Sequence, residues 1–196
     1  TKGIILRLNT PGGSPVQAGQ INDEIRRLRE KHNDIPVHAV VADLCASAGY
    51  YVAVAAEAIH VDKASLIGSI GVRLDAFGFE QAMTDLGVER RLLVAGANKG
   101  ILDPFSPMTE AQKTFLQGQL DQLHQQFITA VREGRGEKLT GGEEIYSGLF
   151  WNGAESLKLG LADHLGSPES VARDVIGAEK LVEFTAKKDL LERLAD

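Results

Sequence analysis

Ser47 sits among small residues, in Cys45-Ala46-Ser47-Ala48-Gly49, and Lys99 stands far downstream in Gly96-Ala97-Asn98-Lys99-Gly100. A serine hydroxyl is a poor nucleophile until a base removes its proton. Lysine serves as that base only when its pKa falls toward neutrality, which burial achieves by penalising the charged form. A third segment, Asn9-Thr10-Pro11-Gly12-Gly13, offers bare backbone amides able to hold a developing oxyanion. Together the three segments predict a serine hydrolase whose base is lysine rather than histidine.

Each of these residues also has a plainer reading. Ser47 suits a helix N-cap, Lys99 an exposed loop, and Gly12-Gly13 a turn. Three features favour chemistry. Ser47 falls between an apolar strand and a helix, where a nucleophile stands at a sharp turn near the positive end of a helix dipole. Ile101, Leu102 and Phe105 beside Lys99 predict that its loop packs inward. Gly12 and Gly13 lie between a strand and a helix, where backbone N–H groups point outward toward an anion. Ser69, in Gly68-Ser69-Ile70-Gly71, is either a loop serine or a hydrogen-bond partner that orients the base. Of the histidines, His60 follows Ser47 in a strand pattern, His124 lies mid-helix among glutamines and His164 lies in a tail turn. None has the flanking acidic and glycine context of a triad. Cys45 falls on the strand side of the turn, where a small buried residue is expected.

The elements that must position these groups alternate between strand and helix. Residues 3–8 read as a strand, and Pro11-Gly12-Gly13 as a turn. Ser14 caps a helix running to about His32, with Pro15 at its first position and Ile21, Ile25 and Leu28 on one face. Residues 37–42 form a second strand. A helix with Tyr51, Val54 and Ala55 follows Ser47, and residues 58–61 return as a strand. Residues 65–71 read as a glycine-spaced loop, 78–86 as a short helix, 88–94 as a strand and 95–108 as an ordered loop. Thr109-Glu110-Ala111-Gln112 has capping-box spacing and opens the longest helix, to about Glu133. Leu116, Leu120, Leu123, Phe127 and Val131 form its apolar stripe, and Gly134 and Gly136 stop it. The tail at 153–166 gives a helix and a short strand, and 187–195 an amphipathic end-helix. Strands alternating with helices predict an α/β fold of parallel strands with crossover helices.

Bulk properties narrow the function classes. The 196 residues suffice for one well-buried domain over 1–196. A net charge of −6 argues against a general phosphate-binding surface and hence against nucleic acid as a partner. Arg26, Arg27 and Arg29 lie among Asp23, Glu24 and Glu30 and read as a solvated helix face. The single cysteine excludes an intrachain disulfide, and no zinc-type Cys/His spacing or nucleotide loop occurs, so neither metal nor cofactor is expected. The longest mildly apolar stretch, 39–61, carries Asp43, Glu57 and His60 and is interrupted by Gly49, which marks a core strand and helix rather than a membrane span. Because residues 3–8 are already a buried-type strand, the chain is expected to be a fragment that lacks upstream strands and an anchor.

Several motifs coincide. Asn9-Thr10-Pro11-Gly12-Gly13, Ala46-Ser47-Ala48-Gly49-Tyr50-Tyr51, Gly68-Ser69-Ile70-Gly71-Val72, Gly96-Ala97-Asn98-Lys99, Val131-Arg132-Glu133-Gly134-Arg135-Gly136 and the 160–166 tail resemble, in order and spacing, the signal peptide peptidase A family. The resemblance covers nearly the whole chain. It implies a Clp protease/crotonase-like fold and a Ser47/Lys99 dyad, with Ser69 hydrogen-bonded to the lysine amine. It places the oxyanion site at backbone amides among Gly12, Gly13 and Ala48. It further implies homo-oligomeric rings in which serine and lysine can come from different subunits. A bacterial inner-membrane anchor, an extracytoplasmic catalytic domain and hydrophobic peptide substrates such as cleaved signal peptides complete the expectation. Two positions depart from the family pattern: Thr10 stands where serine is common, and Ala48, which narrows the substrate slot, where glycine is common. The competing functions are a crotonase-like acyl-CoA enzyme, a non-catalytic assembly module, and a prophage capsid or quality-control protease of the same family. The first would need an acidic residue at the reacting carbon, and the Ser47 turn offers none that suits.

Overall fold

In the computed structural model, which describes residues 1–185, a long apolar strand forms the centre of a mostly parallel sheet. This strand, β2 (Val37–Ala46), pairs in parallel with β1 (Ile4–Thr10), β3 (Ala58–Val61) and β4 (Leu66–Gly68). β5 (Phe150–Asn152) runs antiparallel to β4, and β6 (His164–Leu165) parallel to β3. The helices are α1 (Pro15–Lys31), α2 (Ala48–Ala53), α3 (Glu80–Asp85), α4 (Glu110–Arg135), α5 (Gly153–Lys158) and α6 (Pro168–Ser170), the last continuing into a wide turn over Val171–Val175. The expected α/β class with parallel strands and crossover helices is the class observed. Residues 187–195, expected as an end-helix, lie outside the described residues.

The core forms where the sequence is densely apolar. Ala39, Val41, Cys45, Ile59, Val61 and Ile67 from the strands pack with Tyr50, Ala53 and Val54 of α2 and with Phe127 and Val131 of α4. α1 begins as expected: the Ser14 hydroxyl accepts from the Gln17 amide and Pro15 takes the first turn. Its inward face differs from the expectation. Ala18 and Asn22 are buried, whereas Ile21 and Leu28 are exposed. Asn22 donates to the Tyr51 carbonyl at 2.6 Å, Arg26 reaches Asn22 and the Ala130 carbonyl, and Arg29 donates to the Ala55 carbonyl at 2.7 Å. Of the three arginines expected on a solvated face, only Arg27, paired with Glu24, sits there among acidic neighbours. Polar side chains face inward because the carbonyls of Tyr51, Ala55 and Ala130 lie within their reach.

The long helix starts at its capping box, with Thr109 and Gln112 bonded reciprocally, and runs two residues beyond the expected stop, to Arg135. Gly134 is therefore not a terminator. It lets α4 approach the Val54 backbone so closely that a side chain would collide with it. Two further differences concern the middle of the chain. Residues 66–68 form β4 instead of continuing a loop, and residues 88–94, expected as a strand, form none and are exposed. An isolated apolar run becomes a strand only where a sheet edge accepts its hydrogen bonds, and among the described residues no strand pairs with 88–94.

Two buried polar clusters tie the tail to the sheet. Arg135, 2 % exposed, donates to both Asp163 carboxylate oxygens at 2.7 and 3.1 Å and to the Gly160 carbonyl at 2.8 Å. Asp163 also accepts from the Ile59 amide at 2.7 Å and pairs with Lys138 at 2.8 Å. Burial alone would raise this carboxyl, but the Arg135 and Lys138 hydrogen bonds outweigh burial and hold it well below the usual carboxylate range. Beside it, His38 Nδ1 and His60 Nε2 lie 3.1 Å apart, and the His60 and His164 rings are 5.4 Å apart. One nitrogen of the His38–His60 pair must donate and the other accept, so the neutral forms fit and the doubly charged form does not. Burial, with the neighbouring histidines opposing a further charge, lowers His60 to about 4.

These clusters set the acid stability. A histidine depressed in the folded state costs nothing above the unfolded value near 6.5, and its penalty accumulates as the pH falls from there to about 4. The expected loss over that window is about 2–3 kcal/mol, read from urea midpoints against pH, and His60→Gln removes it. Below about pH 4, the ordinary carboxylate value, protonation of Asp163 adds a second loss. At neutral pH Asp163→Asn leaves Arg135 buried without a counter-charge and lowers stability by about 3–5 kcal/mol in the same titration.

Candidate active site

β2 changes partner along its length, and the site lies at the change. Residues 38–40 pair with β3, and residues 44–46 with β4. An irregularity between Leu8 and Thr10 shifts the register of β1 so that Thr10 lies beside Cys45. The Pro11-Gly12-Gly13 turn therefore arrives directly against the end of β2. There Ser47 adopts φ 52° and ψ −126°, which no L-residue adopts without cost, and α2 begins at the next residue. This is a strand–turn–helix elbow that presents a half-buried serine at a sharp bend. The Ser47 amide donates to the Gly68 carbonyl at 2.8 Å, and its carbonyl accepts from Tyr51 at 3.1 Å.

Gly12 lies against this elbow. A Cβ there would stand 2.8 Å from Ser47 Cβ and 3.1 Å from both the Ala46 oxygen and the Ala48 nitrogen, on a backbone at φ +116°. The Gly12 amide is not free, because it donates to Thr10 Oγ1 at 3.1 Å. The expectation that Gly12 supplies an oxyanion donor is corrected accordingly: Gly12 supplies room, and the hydroxyl of Thr10 folds the turn. Gly13 is exposed, and its amide has no hydrogen-bond partner among the described residues. Ala48 opens α2, so its amide has no acceptor within the helix. The turn thus brings Gly12 against Ser47 and the Ala48 amide, with Gly13 the next residue along the chain.

Ser69 lies close by, since β4 ends at Gly68 and Gly68 holds the Ser47 amide. Ser69 is half-buried at φ 52°, and its amide donates to the Leu149 carbonyl at 2.6 Å. Lys99 is placed differently from the expectation. It sits in a turn whose amide bonds back to Gly96, and it is exposed, as are residues 88–98 before it. Ile101 and Leu102 are half-buried, but Phe105 is 42 % exposed, so the loop packs inward only past Lys99. The Ser47 hydroxyl and the Lys99 amine are not hydrogen-bonded to each other in this chain. Cys45 is excluded as a nucleophile, because burial pushes its thiol up to about 12. His60 is committed to the core with His38, and His124 to the Ile70 carbonyl at 3.1 Å. Leu149 carries a position in this site that the sequence did not single out. Thr10, noted for its departure from the family pattern, also stands two residues before Gly12, the offset of a hydroxyl-closed turn.

The Peptidase family S49 profile matches residues 29–182. The chain belongs to this family. Relatives named signal peptide peptidase match this chain as well, which bears out the resemblance read from the motifs. The chain is 39% identical over 191 residues to a Brucella abortus (strain 2308) protein named Na(+)/H(+) antiporter NhaA, covering 97% of this chain and 26% of that protein. It is 31% identical over 181 residues to capsid assembly protease C of Escherichia phage lambda, covering 91% and 40%. It is 28% identical over 166 residues to the chloroplastic serine protease SPPA of Arabidopsis thaliana, covering 84% and 24%. The chain thus spans less than half the length of each of these relatives. Among the described residues no helix is long and apolar enough to cross a membrane.

Gly12 gives the sharpest test of the packing at the elbow. Gly12→Ala must move Ser47 or the turn, and a displacement of about 1 Å costs on the order of 10²-fold in turnover. A Cβ at Gly13 meets nothing within 4 Å, so Gly13→Ala, which keeps its amide and adds only the backbone strain of φ +151°, is expected to cost less. Peptidase kcat for the two variants, with circular dichroism to show that both fold, checks the contrast.

Proposed function

We propose that this chain is the catalytic part of an endopeptidase that uses Ser47 as nucleophile and Lys99 as general base. Ser69 orients the amine, and the Gly13 and Ala48 amides receive the oxyanion. The observation that carries this reading is the strained elbow at Ser47, wedged between Gly12 and the Gly68 carbonyl. Strain of this kind persists only where the surroundings over-determine it, and it clusters at reacting groups.

In the first half-reaction the uncharged amine takes the Ser47 proton as Oγ attacks the scissile carbonyl. The two amides stabilise the tetrahedral oxyanion, and the ammonium returns its proton to the departing amine, leaving an acyl-serine. Water, deprotonated by the same amine, then attacks the ester and frees the carboxylate product and Ser47. Extended hydrophobic peptides, such as cleaved signal peptides, are the proposed substrates, on the family resemblance. The similarity to a capsid assembly protease supports processing of assembly proteins as a second reading. A membrane location with the catalytic part on the extracytoplasmic side belongs to the same proposal.

The exposure of Lys99 supports closure of the dyad within a homo-oligomer. The segment that carries Lys99 also exposes Phe77, Leu86 and Leu93, at 76, 78 and 96 %. Exposed apolar side chains in such number call for a partner surface, and a second copy that covers them would bury the amine as the chemistry requires.

Ser47→Ala and Lys99→Ala are each expected to abolish peptide cleavage and leave the fold intact. Co-assembly of the two inactive chains restores a fraction of the wild-type activity if serine and lysine come from different copies. Activity rises toward alkaline pH, because only the free amine accepts the proton. Full activity of either purified variant in a fluorogenic peptide assay overturns the dyad.

A further inference from the structure

The strap Gly68-Ser69-Ile70 is held at three consecutive residues by three different elements. The Gly68 carbonyl accepts from the Ser47 amide at 2.8 Å, and the Ser69 amide donates to the Leu149 carbonyl at 2.6 Å, just before β5. The Ile70 carbonyl lies 3.1 Å from His124 Nε2 on α4. A carbonyl only accepts, so Nε2 carries the hydrogen. His124 is the single side chain among these three anchors. From these contacts we propose that His124 is a positioning residue that fixes Ser69 by clamping the Ile70 carbonyl. This rests on the reading of Ser69 as the group that orients the base.

Ser69 needs such support. It holds φ 52° without being a glycine, a conformation that returns to a commoner one unless neighbours on every side prevent it. Before it, Gly68 at φ +112° is packed so closely that a Cβ would meet Trp151 and the Leu149 oxygen at 3.0 Å. After it, the Ile70 side chain is fully buried, so its carbonyl has little access to replacement water. α4 provides a fixed point for the clamp. One turn beyond His124 the helix is buried through Phe127 and Val131, and it ends at Arg135, held by Asp163. His124 thereby relays the fixed position of α4 to the serine directly after the strand end that holds the Ser47 amide.

The chemistry required of His124 is a donor at the ε position. His124→Gln offers an amide N–H at similar reach, and His124→Leu offers none. For the whole protein acting on a fluorogenic peptide, His124→Leu is expected to lower kcat about 10-fold or more, as a misplaced catalytic group does, with KM within about 2-fold. His124→Gln is expected to retain at least about a third of kcat. In a Ser69→Ala background His124→Leu is expected to add no further loss, because two residues acting through one group are not additive. Hydrogen exchange of the Ser69 amide should quicken in the Leu variant and not in the Gln variant, a readout independent of turnover. The proposal is overturned if the Leu variant keeps wild-type kcat, if the Gln variant falls as far as the Leu variant, or if the losses multiply in the double variant. Ser47→Ala assayed alongside separates the two readings. An inactive Ser47→Ala with an unaffected His124→Leu defeats the clamp alone, whereas an active Ser47→Ala defeats the serine mechanism itself.

Discussion

The Arg135–Asp163 ion pair is the contact on which the arrangement of this protein depends. It joins the last residue of the longest helix to the loop before β6, and Asp163 also holds the Ile59 amide at the start of β3. A charge pair this deep is costly to desolvate and repays that cost only when every donor and acceptor is used. Here the carboxylate takes hydrogen bonds from a guanidinium, an ammonium and a backbone amide, and the guanidinium also reaches the Gly160 carbonyl. Tyr50, fully buried in α2, donates to the neighbouring Leu161 carbonyl at 2.8 Å. The helix that follows Ser47 and the helix that carries His124 are thus referenced to the same short tail. Hydrophobic packing would hold these helices against the sheet in several registers, whereas the ion pair and its hydrogen bonds admit one.

The site itself arises from a competition for β2. A parallel strand has two edges, and β2 gives one to β1 and divides the other between β3 and β4. Where β3 leaves and β4 takes over, the carboxyl end of β2 opens into a crevice, the usual place for ligands in α/β sheets. Three segments meet there: the turn after β1, the elbow after β2 and the strap after β4. Each has a residue at positive φ, at Gly12, Ser47 and Ser69. The three are hydrogen-bonded or packed directly against one another, so none can relax alone. In this way a fold made of regular elements stabilises irregular backbone at the position where an amide and a hydroxyl must be aimed.

Much of this was legible in the sequence, for identifiable reasons. Thr109 and Gln112 announced the long helix, since a capping box is a local interaction between residues three apart. Ser47 was legible because an apolar strand, a run of small residues and a helix pattern surround it. What failed depended on distant partners. Val88, Leu92 and Val94 have strand character but no edge to join, and Leu66 and Ile67 became a strand only because β2 and β5 lie on either side. Gly134 read as a stop because nothing near it in sequence discloses that Val54 will lie beside it. The inward polar face of α1 was equally hidden, as buried Asn22 and half-buried Arg29 serve carbonyls 29 and 26 positions away.

The serine side of the site and the lysine-bearing segment stand in different physical situations. Ser47, Gly12, Ser69 and His124 are interlocked with a buried core, whereas Lys99 lies on a segment whose apolar side chains face outward. A lysine serves as a general base only where its surroundings exclude water. The same desolvation that would cover Phe77, Leu86 and Leu93 is what a lysine needs in order to lose its proton near neutral pH. Under the proposed dyad, apolar cover and base activation are therefore one event rather than two. On the Ser/Lys reading, a surface that buries this segment switches on the nucleophile, and a chain without that cover keeps a well-formed elbow with no base to serve it.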